Sequence, residues 1–420
     1  MIKEIKKIFL NFLPVLIFSI FLNIYYDGNT FKLSNIQSVI AVFAISLIIL
    51  DKASFKINKN AFAVYLFITV CFISCFLSDD FLSSVKRFFI VFLPFLMIFQ
   101  TYLNIKRVED VKESFEKYFI YFVIFLVIYA LTIFLFDFFS SDGIRSHEIS
   151  KSNFFKLGQF YYTRKDLFGS SNALLNQQID IYRPSSLLSN TIGFSHLVLL
   201  AIYMNYFNEN SSRFKKLILY FLFIITLFWT FSRISILIFM LVPFLIFLAK
   251  NKRYFIIFLI VKVFLFFLLI ILQIENQSEN FVFLDIINLG KFIDRFEIYK
   301  LTLLSFEDYF FNGVGFGQGS ENFIMKKYSS LPSFYENQNL AIPSVPLTIL
   351  VETGFLGLLF YIFLIPLVIK NNKNFYKKSV LSIFMILIII QLTQYFDISL
   401  FRFHPLTFIF AIYLGIGCNK

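Results

Sequence analysis

Charge is what this sequence most lacks. Of its 420 residues only 15% are charged while 58% are hydrophobic, whereas soluble domains carry about 25% charged and roughly 45–50% apolar residues. So little charge cannot clothe a water-facing surface, which excludes a soluble globular enzyme and a disordered chain. Histidine and cysteine are scarcer still, at three each. Cys71, Cys75 and Cys418 lie in or beside apolar runs and form neither a disulfide framework nor a metal-binding spacing. His147, His196 and His404 make no His-x-x-x-His pair, so no metal and no other cofactor is expected. Glycine is sparse, and its densest cluster, Gly313-Val-Gly-Phe-Gly317, lacks the Lys-Ser/Thr tail of a nucleotide-binding loop. Taken alone, that cluster reads as a turn.

What the sequence has instead is grease. Mean hydropathy is +0.76. Apolar runs able to cross a hydrocarbon core of about 30 Å recur throughout. Twelve candidate spans fall near 8–26, 35–50, 61–78, 87–104, 118–139, 191–207, 217–231, 234–249, 254–273, 345–369, 379–396 and 403–418. The first follows Lys3, Lys6 and Lys7 without a small-residue cleavage site, so it reads as a retained membrane segment. The fold class expected is an all-α polytopic membrane protein of about 12 transmembrane helices. Residues 1–420 form a single membrane domain in which two long connections, 140–190 and 274–344, contain short helices.

The net charge of +12 follows from topology. With the N-terminus inside, 21 of the 38 basic residues fall in inner segments and five in short outer loops (Lys32, Lys86, Arg87, Arg233 and Arg402). That asymmetry sets orientation, with both termini cytoplasmic and both long connections outside. No nucleic-acid partner is needed to explain the charge.

Three arginines stand out on the outer side. Arg183 lies in Tyr182-Arg-Pro-Ser-Ser before the sixth span, Arg233 in Phe231-Ser-Arg-Ile-Ser235 between the seventh and eighth, and Arg295 in Asp294-Arg-Phe-Glu-Ile-Tyr299. Arginines near span ends often only snorkel to the interface. Alternatively, three planar guanidinium forks converging there would suit a lipid-linked pyrophosphate, which an ammonium grips less well. Two charges lie deeper, Lys262 in the ninth span and Glu352 in the tenth. A charge at a span centre costs roughly 2.5–3.5 kcal/mol and normally finds a partner. Similar depths suggest a Lys262–Glu352 pair; separate contacts with water or backbone are the alternative. Any of the three histidines has the chemistry of a general base, although structural roles are more usual. Loop tyrosines such as Tyr299 suit either sugar stacking or packing.

The order of these features resembles the O-antigen polymerase and O-antigen ligase superfamily of bacterial inner membranes. The resemblance rests on Arg183-Pro-Ser-Ser with Ser189-Asn190, on Ser232-Arg233, and on the run from Arg295 through Gly313-Val-Gly-Phe-Gly317 to Glu352-Thr-Gly-Phe-Leu-Gly357. It implies that the two long connections are periplasmic and that the chain is a metal-independent glycosyltransferase of the inner membrane. Donor and acceptor would be glycans on undecaprenyl pyrophosphate, with the lipid bilayer and a chain-length regulator protein as further partners. Arg183, Arg233 and Arg295 would be the catalytic ligands of pyrophosphate. Gly315, Gly317, Tyr299, Glu352 and Lys262 would line or support the substrate site. Ligases of the superfamily commonly carry a His-Asn pair nine residues before the glutamate; here Pro343-Ser344 stands there. That departure favours an O-antigen or capsular polymerase of the Wzy type. A ligase acting on lipid A-core and a polysaccharide-lipid flippase are the alternatives.

Overall fold

The computed structural model describes residues 23–26, 29–32, 59–104, 108–139, 156–157, 162–164, 180–182, 191–209, 211–230, 232–262, 299, 302–303, 310–311, 313–318, 342, 344–372, 374–395 and 405–419. Its helices are α1 (Phe62–Cys75), α2 (Phe81–Leu103), α3 (Val108–Phe139), α4 (Thr191–Phe207), α5 (Arg213–Trp229) and α6 (Arg233–Leu248). They are followed by α7 (252–262), α8 (Val345–Asn371), α9 (Lys378–Thr393) and α10 (Pro405–Asn419). Nearly all are apolar around their whole circumference, as helices buried in lipid or protein must be. Asp80 starts α2 by accepting from the Ser83 amide at 3.1 Å, and Ser212 does the same for α5 through the Lys215 amide. Each such cap stabilises its helix by about 1 kcal/mol.

Among the described residues, three helical stretches are long and apolar enough to span a membrane: Phe81–Leu103, Glu109–Thr132 and Val345–Asn371. Several shorter apolar helices match expected spans within a few residues. The first two expected spans lie outside the described residues, apart from a strand at the end of the first. The helical expectation holds for the bundle, and five short strands add to it. β1 (Asn23–Tyr26) pairs antiparallel with β2 (Asn29–Lys32) and with β3 (Lys156–Leu157); β4 (Tyr162–Arg164) pairs with β5 (Asp180–Tyr182). The described parts of the 140–190 connection are therefore strands, where short helices were expected. The β1–β2 register sets Tyr26 opposite Asn29, with Asp27-Gly28 between them in sequence, the strongest short hairpin signal there is.

The helices pack in two groups joined through α9. α10 lies along α2, α8 along α1, and α4 against α5, while α9 touches α4, α6, α8 and α10. Gly415 lets α10 approach α2 closely, since a Cβ there would sit 2.6 Å from the Phe99 carbonyl oxygen. The lysine-rich connections gather at one end. There Asn60 bonds Cys418, Lys112 donates to Ser382 Oγ at 2.5 Å and to the Ser379 carbonyl, Lys378 pairs with Glu209, and Lys252 caps the carbonyls of Lys370 and Asn372. The opposite end collects the α1–α2 turn, the starts of α4, α6 and α8, and residues 313–318.

Candidate functional site

The site is built around a break in α8. Gly354 has φ 69° and ψ −169° inside an otherwise helical run. Positive φ is costly for any residue with a Cβ, so glycine is required. It is the tenth residue of α8, about 14 Å from the helix's N-terminal end at 1.5 Å per residue. Opening a helix at that depth orphans backbone groups that lipid cannot satisfy. The glycine loop satisfies them. Val314 N donates to Val351 O at 2.8 Å and Gly315 N to Glu352 O at 3.0 Å. Phe355 N, whose helical acceptor would be Val351 O, donates instead to Phe310 O at 2.7 Å, and the Phe310 and Phe355 rings stack at 5.4 Å. Three long-range bonds thus replace the lost helical ones.

Each glycine of the cluster has its own reason. Gly313, Gly315 and Gly317 have φ of 67°, 101° and 82°. A Cβ on Gly313 would lie 2.4 Å from the Glu352 carbonyl, on Gly315 2.3 Å from Ser78 Cβ, and on Gly317 2.5 Å from Arg87 Cδ. The loop is therefore wedged between the broken helix on one side and the α1–α2 corner on the other. Ser84 Oγ donates to Phe316 O at 2.7 Å, and the Phe316 ring rests on Phe88 and Phe92. Glu352 is buried in this seam, and its backbone is the loop's anchor.

A second polar cluster forms where α4 and α6 begin. Ser195 Oγ lies 2.7 Å from Ser235 Oγ, and Ser232 Oγ donates to Ser235 at 3.1 Å. Arg233 opens α6 beside them and is exposed. His196, next to Ser195, is fully buried.

Part of each cluster falls inside one recognisable stretch. Residues 218–362 match the O-antigen ligase family model, Wzy_C. The match is consistent with the O-antigen polymerase and ligase superfamily. No curated protein matches the chain. The matched stretch runs from α5 through the Ser232–Ser235 turn and the glycine loop to the break in α8, while Ser195 and His196 on α4 and the α1–α2 corner lie outside it. It supports a glycosyltransferase-like function of the O-antigen polymerase or ligase type on lipid-linked glycans in a bacterial membrane.

Of the site residues expected from sequence, the O-antigen ligase domain brings Gly315, Gly317 and Glu352 into one seam. Arg233 stands at the same end of the bundle. Arg183 and Arg295 lie outside the described residues, as do His147 and His404. Tyr299 is wholly buried. The expected Lys262–Glu352 pair is not formed. Lys262 Nζ donates to Gln391 Oε1 at 2.8 Å and lies 5.6 Å from the Tyr395 ring centroid. Equal depth was the argument for the pair, but Gln391 on α9 is the neighbour that α7 faces, and a neutral amide satisfies an ammonium without a second charge.

Two features escaped the sequence reading. Ser232 was read only as part of a Ser-Arg motif, and nothing in its segment tied it or Ser235 to Ser195. Arg87 was assigned to an outer loop, yet it sits seven residues into α2, whose start the Asp80–Ser83 cap announces.

Proposed function

We propose that the protein is an O-antigen or capsular polysaccharide polymerase, with residues 1–420 forming one membrane domain and both termini cytoplasmic. It moves a growing glycan from undecaprenyl pyrophosphate to the sugar hydroxyl of a lipid-linked repeat unit on the periplasmic face of the inner membrane. The bond from the anomeric carbon to the pyrophosphate oxygen breaks and a glycosidic bond forms. Undecaprenyl pyrophosphate leaves, and the acceptor proton passes to the medium. Pyrophosphate is already a good leaving group, so neither nucleotide nor metal is required. Arg183, Arg233 and Arg295 stabilise the charge that grows on the departing oxygen, an effect worth several kcal/mol where water is scarce. Holding donor and acceptor together contributes the remainder.

The observation that carries this reading is the glycine loop spliced into the α8 break within the O-antigen ligase domain. It brings residues of the second long connection into the N-terminal third of α8, close beneath the level of a lipid headgroup. The family description favours one second reading, a ligase that transfers the glycan to lipid A-core. Against it stands the sequence at Pro343-Ser344, where the superfamily's ligases commonly carry His-Asn. Deletion of the gene separates the two on a lipopolysaccharide gel. Loss of the polymerase leaves a single repeat unit on the core; loss of a ligase leaves the core bare.

A further inference from the structure

Arg87 has a position that packing alone does not explain. It is the seventh residue of α2, about 9 Å below the outer end of that helix at 1.5 Å per residue. Ser83, Ser84 and the exposed Lys86 precede it, and the apolar run Phe88, Phe89 and Ile90 follows directly. A side chain at such depth can snorkel to the interface, as the exposed Lys86 beside it is free to do, but Arg87 is held. Its stem is clamped. The Gly317 backbone lies against Arg87 Cγ and Cδ, close enough that a Cβ on Gly317 would fall 2.7 and 2.5 Å from them. Just above, Ser84 bonds the Phe316 carbonyl, and just below, Phe88 holds the Phe316 ring. One face of α2 thus grips the loop over two turns, and Arg87 is the charged residue in that grip.

The head of the side chain is a different matter. Among the described residues, none accepts a hydrogen bond from Arg87 or pairs with it as an ion. The nearest acidic residue of its own helix end, Asp80, caps the Ser83 amide. A guanidinium carries five donors in a fixed fork, and a half-buried one with no acceptor among the described residues is arranged for an anion from outside the chain. The geometry points to Arg87 as a direct phosphate ligand for the pyrophosphate headgroup, its stem positioned by Gly317. This rests on the lipid-pyrophosphate reading above. It adds a fourth basic group, from outside the 218–362 stretch, and gives the third glycine of the cluster a task beyond turning the chain.

The test is binding, measured on the full-length protein in nanodiscs titrated with unglycosylated undecaprenyl pyrophosphate. Arg87→Gln should weaken binding at least about tenfold, the scale of losing charge-assisted hydrogen bonds. Arg87→Lys should also weaken it, because one ammonium cannot replace a bidentate fork. Lys86→Gln, at the exposed neighbouring position, should stay within twofold of wild type. If Arg87→Gln does not purify as a monodisperse protein, Arg87→Lys keeps the stem and the charge and decides the matter. Wild-type affinity in a well-behaved Arg87 variant overturns the inference while leaving the lipid-pyrophosphate reading standing. Failure of the wild-type protein to bind overturns that reading, and the inference with it. Displacement of the lipid by inorganic pyrophosphate supports recognition of the headgroup; displacement only by polyprenol contradicts it.

Discussion

The amide of Gly315 donates a 3.0 Å hydrogen bond to the carbonyl of Glu352. Two short motifs far apart in sequence, Gly-x-Gly-x-Gly and Glu-x-Gly, are thereby halves of one structural device. The glycine at 354 opens the helix, and the glycines at 313, 315 and 317 let a loop enter close enough to complete it.

Substitution within this device should therefore be severe where the backbone is the obstacle. Gly313→Ala places a methyl 2.4 Å from the Glu352 carbonyl at a φ of +67°, where αL backbone alone costs about 1–2 kcal/mol. It should abolish glycan elongation and lower the melting temperature. Gly417→Ala meets nothing nearer than 3.5 Å in the helical interior and should be neutral or stabilising by about 0.5–1 kcal/mol. Thermal unfolding of both purified variants gives the comparison. Equal behaviour of the two would contradict the splice.

Lys262 and Gln391 should show energetic coupling. A double-mutant cycle of Lys262→Met and Gln391→Leu is expected to give about 0.5–2 kcal/mol, the range for polar contacts between membrane helices. Equilibrium unfolding in mixed micelles measures it. Coupling of Lys262 to Glu352 in place of Gln391 would restore the pair that depth alone suggested.

At the lysine-rich end, Lys112 and Glu116 form a buried pair at 3.6 Å, with Glu116 also accepting from Tyr413 and Lys112 donating to Ser382. Lys112→Met strands a buried carboxylate and should cost about 3–5 kcal/mol. The double variant Lys112→Met, Glu116→Leu should recover most of that loss, because removing both charges removes the uncompensated one. Melting temperatures in detergent report both effects. A double variant no more stable than the single one would mean that the network acts through shape and not charge.

Much of the architecture was legible in the sequence because hydropathy acts locally. The spans at 191–207, 217–231, 234–249, 379–396 and 403–418 appear as α4, α5, α6, α9 and α10, displaced by a few residues. What was not legible depends on distant partners. Nothing near Gly354 says that its helix opens, since the evidence for it is a loop some forty residues earlier. The partner of Lys262 was missed because a charged residue, water and backbone were weighed as partners, while α9 supplies a side-chain amide. Arg87 was lost through a boundary error. Opening the fourth span at residue 87 hid the Asp80 cap that puts the arginine inside a helix. The hairpin at β1–β2 was overlooked although Asp27-Gly28 announces it.

Arg233 is exposed at the first position of α6, so replacing it with lysine should leave the fold intact. Arg183→Lys, Arg233→Lys and Arg295→Lys each preserve the charge and remove the fork. Each should reduce cell-surface glycan to a single repeat unit while the protein remains at wild-type abundance in the membrane. Full-length ladders from all three variants would remove arginines from the mechanism.

The most direct test is elongation by the purified protein itself, supplied with labelled undecaprenyl-pyrophosphate repeat units and no other enzyme. The account predicts a ladder of longer lipid-linked glycans, formed without added nucleotide or metal and lost in Arg233→Lys. A label that stays at one repeat unit until lipid A-core is added, and then moves to it, would contradict the polymerase and establish the ligase instead.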